Sequence, residues 1–233
     1  MFDLFETPVS NDPYIRCDRI KTETGLDDAL GGGWPCGYIC EIYGEESHGK
    51  TTLSLLSVAA LQRQDPYAIV IFIDCQHSLD GRWAKQCGVD LNRLVVTEPD
   101  VAKITLAATL DILETGRVKM LVIDDIYALN FNYAMDDLDA AKKTAMRINN
   151  FIHQVEAPLL AANIPMLVVN RQYETLTGFS GPGRELYGGQ ALKTKKAISI
   201  EMLKPRRKDG VTLRFDIRRN KTAPPYMRGE IHA

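Results

Sequence analysis

The chain has 233 residues, 45% hydrophobic and 25% charged, enough apolar content for one well-buried core in the ordinary range of a globular domain. No apolar run approaches the ~18 residues of a membrane span, and the start MFDLFETPVSNDPY lacks the basic and apolar regions of an export signal, so a cytoplasmic location with no membrane partner is expected. Five cysteines, an odd number without paired C-x2-C clusters, argue against a zinc or disulfide framework and read as buried reduced thiols.

Apolar, β-rich runs alternate with helical stretches along the chain: YICEIY then 51–64, AIVIFID then 80–88, LVV then 101–115, KMLVID then 136–163, and finally PMLVVN. Continuous apolar strands separated by helices predict an α/β fold with a mostly parallel central sheet covered on both faces. After Asn170 a polar, glycine-rich segment, RQYETLTGFSGPGRELYGGQ, reads as a long loop. Two further strand candidates, AISIEML and TLRFDIR, are joined by the turn-like PRRKDG and predict an antiparallel hairpin at the sheet edge. The net charge of −2 is unevenly spread: residues 1–170 carry 14 Lys and Arg against 24 Asp and Glu, and residues 171–233 carry 14 against 6. A basic C-terminal third suits a polyanion partner, a solvated face or a subunit contact.

The stretch GEESHGKT fits G-x-x-x-x-G-K-[ST] between a strand and a helix, the context that gives this pattern its specificity. Gly44, Glu45, Glu46, Ser47, His48 and Gly49 form the loop whose backbone N–H groups would curl round phosphates, with Thr52 one step into the helix. Lys50 would reach the β and γ oxygens, and the Thr51 hydroxyl would ligate Mg²⁺. ATP and Mg²⁺ are therefore the expected ligands. A second strand, MLVIDD, ends in acid; its first, Asp124, is the candidate for the Mg²⁺ shell. Asp125 follows at a position where other P-loop ATPases carry a catalytic carboxylate, although it could equally cap the next turn or pair with Arg171. His48 and His77 read as local hydrogen-bonding residues, because no cysteine or carboxylate accompanies them at ligand spacing.

Taken together, EIYGEESHGKTTL, FIDCQHSLD, GVDLNRLVVTEPD, LVIDDIYAL, GGQALK and RRNKTAPP resemble the bacterial RecA recombinases, especially phage-type RecA-like proteins, in order and spacing from about Ile20 to Tyr226. The resemblance implies a RecA-like P-loop ATPase core over 21–233, preceded by a short N-terminal arm over 1–20. It further implies an ATP-dependent recombinase that forms a homo-oligomer or helical filament on single-stranded DNA and pairs it with duplex DNA, without sequence preference. On the same basis Arg219 and Lys221 match lysines that reach the ATP of the neighbouring subunit. DNA-facing loops map to 130–138 and 174–189, with Arg184, Gly188, Gly189, Lys193, Lys195 and Lys196 as candidate DNA contacts. Tyr173, Phe179 and Tyr187 are candidates for contact with bases.

Two departures from the family bear on chemistry. The glutamate expected in FIDCQHSLD is Gln76, and an amide can orient water but cannot accept its proton. The sensor glutamine expected after Asn170 is Arg171, a candidate γ-phosphate sensor or a partner for Asp125 or Glu174. These changes predict weak ATPase activity, with Asp125 as a relocated base. The rival readings are a low-turnover nucleotide-binding mediator subunit and a ring-forming motor.

Overall fold

The computed structural model describes residues 18–97, 102–129, 139–177, 181–187, 189–207 and 210–232. Strands β1 (Arg19–Ile20) and β2 (Trp34–Pro35) pair antiparallel on either side of helix α1 (Leu26–Leu30). The alternating segment follows: β3 (Ile39–Gly44), α2 (Lys50–Gln64), β4 (Ile69–Asp74), α3 (Gly81–Gln86), β5 (Leu94–Thr97), α4 (Ala102–Glu114), β6 (Val118–Asp124), α5 (Ala140–Ala162) and β7 (Met166–Asn170). The remainder comprises β8 (Gln172–Thr177), β9 (Gly181–Leu186), α6 (Gly189–Lys195), β10 (Ile198–Arg207), β11 (Val211–Asn220) and β12 (Arg228–His232).

Eight strands form one sheet in the order β12-β11-β10-β3-β7-β6-β4-β5. From β10 to β5 every neighbouring pair is parallel, whereas β11 is antiparallel to both β10 and β12. The expected mixed sheet with an antiparallel hairpin is therefore present. The hairpin does not end the sheet, however: β12 pairs with β11 and is the outer strand, and β10 runs parallel to β3 at Ile200 opposite Ile42.

Both faces are covered, and the period-2 alternation of strand side chains divides the core accordingly. Val70 and Phe72 of β4 point into one cluster with Leu53, Leu55 and Val58 of α2, while Ile71 and Ile73 point into the other with Ile148, Ile152 and Val155 of α5. The Trp34 indole N–H donates to Ser57 Oγ at 2.8 Å, which ties the β1–β2 pair to α2. Helix α5 stops at Asn163, whose left-handed φ of 52° lets its N–H return to the carbonyls of Leu159 and Leu160. Cys36, Cys40 and Cys75 are buried and Cys87 partly so, none of the four in a disulfide.

The glycine-rich segment after Asn170 differs from its reading as a loop. Backbone pairing of Gln172 with Leu186 through Thr177 with Gly181 makes β8 and β9 a separate two-stranded ribbon. Such a ribbon depends on ladder hydrogen bonds rather than on apolar alternation, so hydropathy does not announce it.

Candidate functional site

Four adjacent parallel strands, β3, β7, β6 and β4, end on the same edge of the sheet, and the segments following them carry the polar residues singled out above. Ligands of open α/β sheets bind along this edge. The first segment, 44–50, leads from β3 into α2. Gly44 and Gly49 have φ of 150° and 82°. A Cβ on Gly44 would lie 2.5 Å from the Met202 carbonyl oxygen, and one on Gly49 would lie 2.5 Å from Leu213 Cδ2, so the loop is pressed against β10 and β11. His48 fastens it there, with Nδ1 2.9 Å from the same Met202 carbonyl. Ser47 supplies a further positive φ of 60°, and the curled backbone ends at the N-terminus of a 15-residue helix.

Within the curl, the Lys50 ammonium donates to the carbonyls of Gly44 at 3.0 Å and Glu45 at 2.7 Å. Burial, with the nearby Arg171 charge, lowers its pKa below the usual lysine value. Thr51, at the head of α2, hydrogen-bonds through its side chain to Asp124, and Thr52 is half-buried in the following position. Burial pushes the Asp124 carboxyl up to about 6, a rise opposed by the Thr51 bond and reinforced by Asp125 and Asp74. A hydroxyl beside a carboxylate crowded by other acids matches the donor set and the charge that Mg²⁺ requires. Thr51 and Asp124 would hold that ion, which when bound neutralises charge on phosphate oxygens.

Asp125 and Arg171 form the second part of the site. The Asp125 side chain is 2% exposed; its Oδ2 accepts Arg171 Nε at 2.7 Å and also the Gln76 amide, while Oδ1 accepts the Ala128 N–H at 3.0 Å. Both carboxylate oxygens therefore have donors, one fixing the guanidinium and the other capping the turn Ile126–Ala128. Arg171 also donates from Nη2 to Gln76 Oε1 at 2.9 Å and from Nη1 to Glu46 Oε1 at 2.5 Å. Burial opposes its charge, but Asp125 and Glu46 outweigh that cost and hold the guanidinium above its ordinary pKa. Gln76 is presented by a turn in which Asp74 accepts the backbone N–H groups of Gln76 and Leu79. Its amide is thus engaged at both ends by Arg171 and Asp125.

Residues 12–233 match the family model described as the RecA N-terminal domain. The chain belongs to the RecA family. It is similar to Protein RecA of Francisella philomiragia subsp. philomiragia, 34% identical over 88% of this chain and 59% of that protein. Protein RecA of Rhizobium leguminosarum bv. viciae is 32% identical over 95% of this chain and 66% of that protein. Protein RecA of Francisella tularensis subsp. novicida is 33% identical over 88% and 59%. The chain thus spans about three fifths to two thirds of the length of these curated RecA relatives.

In this RecA-family chain the described candidate cations around α6 lie in three environments. Lys196 is buried and its ammonium pairs with the buried Glu41, which also accepts from Ser199 Oγ at 2.7 Å and Asn170 Nδ2 at 2.9 Å. The expectation that Lys196 contacts DNA is therefore corrected: the residue follows α6 with its side chain 9% exposed and its ammonium held by Glu41. Lys195 reaches Glu156 at 2.6 Å, and Lys193 is exposed beside it. Arg219 donates to the carbonyls of Lys193 at 2.8 Å and Thr194 at 3.2 Å, and Lys221 to Thr194 at 3.1 Å, so both cations sit on the C-terminal end of α6. Gly189 starts α6 with φ of 71°, and a Cβ there would meet Asn149 Oδ1 at 2.6 Å, a packing reason for glycine.

Some expectations cannot be placed. Gly188, Phe179 and the loop 130–138 lie outside the described residues, as do the side chains of Arg184, Tyr173 and Glu174. Two contributors escaped sequence reasoning. Tyr127 lies under Arg171, with the guanidinium carbon 5.7 Å from its ring centroid, and its ring meets Tyr187 at 4.4 Å. Glu41 was hidden inside an apolar strand, although a lone charge in YICEIY is the signal that it has a buried partner.

Among the described residues, no helix is long and apolar enough to cross a membrane.

Proposed function

We propose that the chain is the ATP-binding core of a DNA recombinase that assembles on single-stranded DNA and promotes homologous pairing, with slow nucleotide hydrolysis. The carrying observation is the physical continuity between the phosphate loop and the ribbon β8–β9. Arg171 contacts Glu46 of the loop at one end and Tyr127 at the other, Tyr127 packs on Tyr187, and the Tyr187 carbonyl accepts Asn170 Nδ2 at 2.8 Å. A ligand at the loop would thereby bear on the segment that follows the ribbon and leads into the basic end of α6. Family membership supports DNA as the polyanion. The RecA relatives supply the precedent for recombination; pairing activity and duplex capture are proposals for this chain.

In this reading Lys50, the loop N–H groups and Arg171 bind the phosphates, while Thr51 and Asp124 hold Mg²⁺. Asp125 positions Arg171, since its lone pairs already serve three donors. Gln76 orients water at best, and loss of a positioned base costs on the order of 10²- to 10⁴-fold in rate. Arg219 and Lys221 present cations on an exposed face suited to the nucleotide of a neighbouring subunit. The engagement of Gln76 and Asp125 also favours a second reading, a nucleotide-binding mediator with minimal turnover.

Electron microscopy of the protein with a non-hydrolysable ATP analogue and single-stranded DNA tests the choice. Helical filaments support the recombinase; dispersed nucleotide-bound particles favour the mediator; closed rings would overturn both in favour of a motor.

A further inference from the structure

The guanidinium of Arg171 is held unequally on its different sides. Its Nε is fixed by Asp125, whose side chain is 2% exposed, and its Nη2 by the Gln76 amide oxygen. The Nη1 partner is different: Glu46 is itself part of the phosphate loop, and its side chain is 77% exposed. A buried partner that also caps a turn is costly to remove, because its carboxylate would lose its charge partner in a poor solvent. An exposed ion pair contributes little and is readily exchanged. Asp125 is therefore the pivot and Glu46 the exchangeable partner.

A second observation shows which partner suits the exchange. Arg171 and Lys50 both engage the same loop: Arg171 Nη1 donates to Glu46 Oε1 at 2.5 Å, and Lys50 Nζ donates to the carbonyls of Gly44 at 3.0 Å and Glu45 at 2.7 Å. Two cations held on one loop at the N-terminus of α2 suit an anion, and Glu46, 77% exposed, is a carboxylate supplied by the loop itself. A terminal phosphate has the same acceptor chemistry with more charge and can take bidentate guanidinium bonds.

We infer that Glu46 is a built-in competitor for the terminal phosphate of a nucleoside triphosphate: Arg171, pivoting on Asp125, exchanges Glu46 for the γ-phosphate within the same subunit, and this exchange sets the preference for ATP over ADP. The inference rests on the nucleotide reading of the site. ADP, which ends at the β-phosphate, has no group to displace Glu46 and binds through Lys50 and the loop alone. Discrimination arises in cis, without help from another subunit's cations.

The test is isothermal titration of the full chain with Mg²⁺ and either ADP or a non-hydrolysable ATP analogue, without DNA. The wild type is expected to bind the ATP analogue about tenfold more tightly than ADP, in line with the ~1.4 kcal/mol that a tenfold ratio represents. Glu46→Gln, an exposed change that leaves the fold intact, should tighten the ATP analogue several-fold and widen the ratio. Arg171→Gln, which retains a donor for Asp125, should collapse the ratio towards one. An unchanged ratio in Glu46→Gln overturns the competition, as does a wild-type ratio in Arg171→Gln. If the wild type binds ADP but shows no preference for the ATP analogue, the exchange fails and the nucleotide site stands. If it binds neither nucleotide, the nucleotide reading and the exchange fall together.

Discussion

Lys196→Met separates a structural cation from a DNA-binding one. The Lys196 side chain is 9% exposed and its partner Glu41 only 1%, so removing the ammonium leaves a carboxylate in the interior. Breaking a buried pair in this way costs about 3–5 kcal/mol. Ser199 and Asn170 continue to donate to Glu41, which places the expected loss near the lower end, about 3 kcal/mol. For a domain of this size each kcal/mol lowers the melting temperature by about 2–4 °C, so a drop of about 6–12 °C is expected by calorimetry or circular dichroism. Adding Glu41→Gln should recover most of the loss, because the amide oxygen still accepts while the stranded charge is gone. DNA binding by the folded variant should keep the wild-type dependence on salt. A melting temperature within a degree of wild type, together with a salt slope shallower by about 0.7, would show Lys196 neutralising a phosphate and overturn its structural role.

Lys50→Ala should abolish measurable ATP binding in a titration while far-ultraviolet dichroism stays native; retained affinity would remove the loop from the site. Asp124→Asn should raise the melting temperature in the absence of Mg²⁺ and eliminate the effect of Mg²⁺ on nucleotide affinity. The sign follows from burial: a carboxyl held up at about 6 is ionised at neutral pH at a cost to the folded state, and the amide does not carry that cost. Equal numbers of Lys50→Ala subunits and Arg219→Ala, Lys221→Ala subunits should recover some hydrolysis at mixed boundaries, provided the two co-assemble; co-assembly without recovery would show that the cations on α6 serve their own helix. Replacing Arg184 and Lys195 by alanine should flatten the salt dependence of single-strand binding by about 0.7 for each phosphate no longer neutralised, and an unchanged slope would move the DNA path elsewhere.

The parts of the fold that sequence conveyed are those governed by local rules. Strands such as IVIFID announce themselves because they are buried on both faces, and GEESHGKT because phosphate chemistry requires its residues in one short stretch. The strand RGEIH gives a weak signal: only Ile231 is buried, Gly229 lies under the Phe215 ring, and the segment becomes a strand through β11 beside it. Lys195 and Lys196 look interchangeable in KTKKA, yet one faces Glu156 and the other Glu41. That divergence arises at the junction of α6 and β10, where helical periodicity ends. The meeting of Asp125, Gln76, Arg171 and Glu46 depends on sheet order, which brings β3, β7, β6 and β4 side by side although their sequence positions are far apart.

The contacts of Gly44 with Met202 and of Gly49 with Leu213 bear on how this sequence can drift over evolutionary time. Gly44 is held by the Met202 backbone and Gly49 by its left-handed φ of 82°, whether or not a nucleotide ever bound. A descendant that abandoned ATP would still be obliged to keep those two glycines, while Lys50 and Thr51 would be free to change. The glycine half of the motif therefore records ancestry and packing, and its lysine and threonine half records current use.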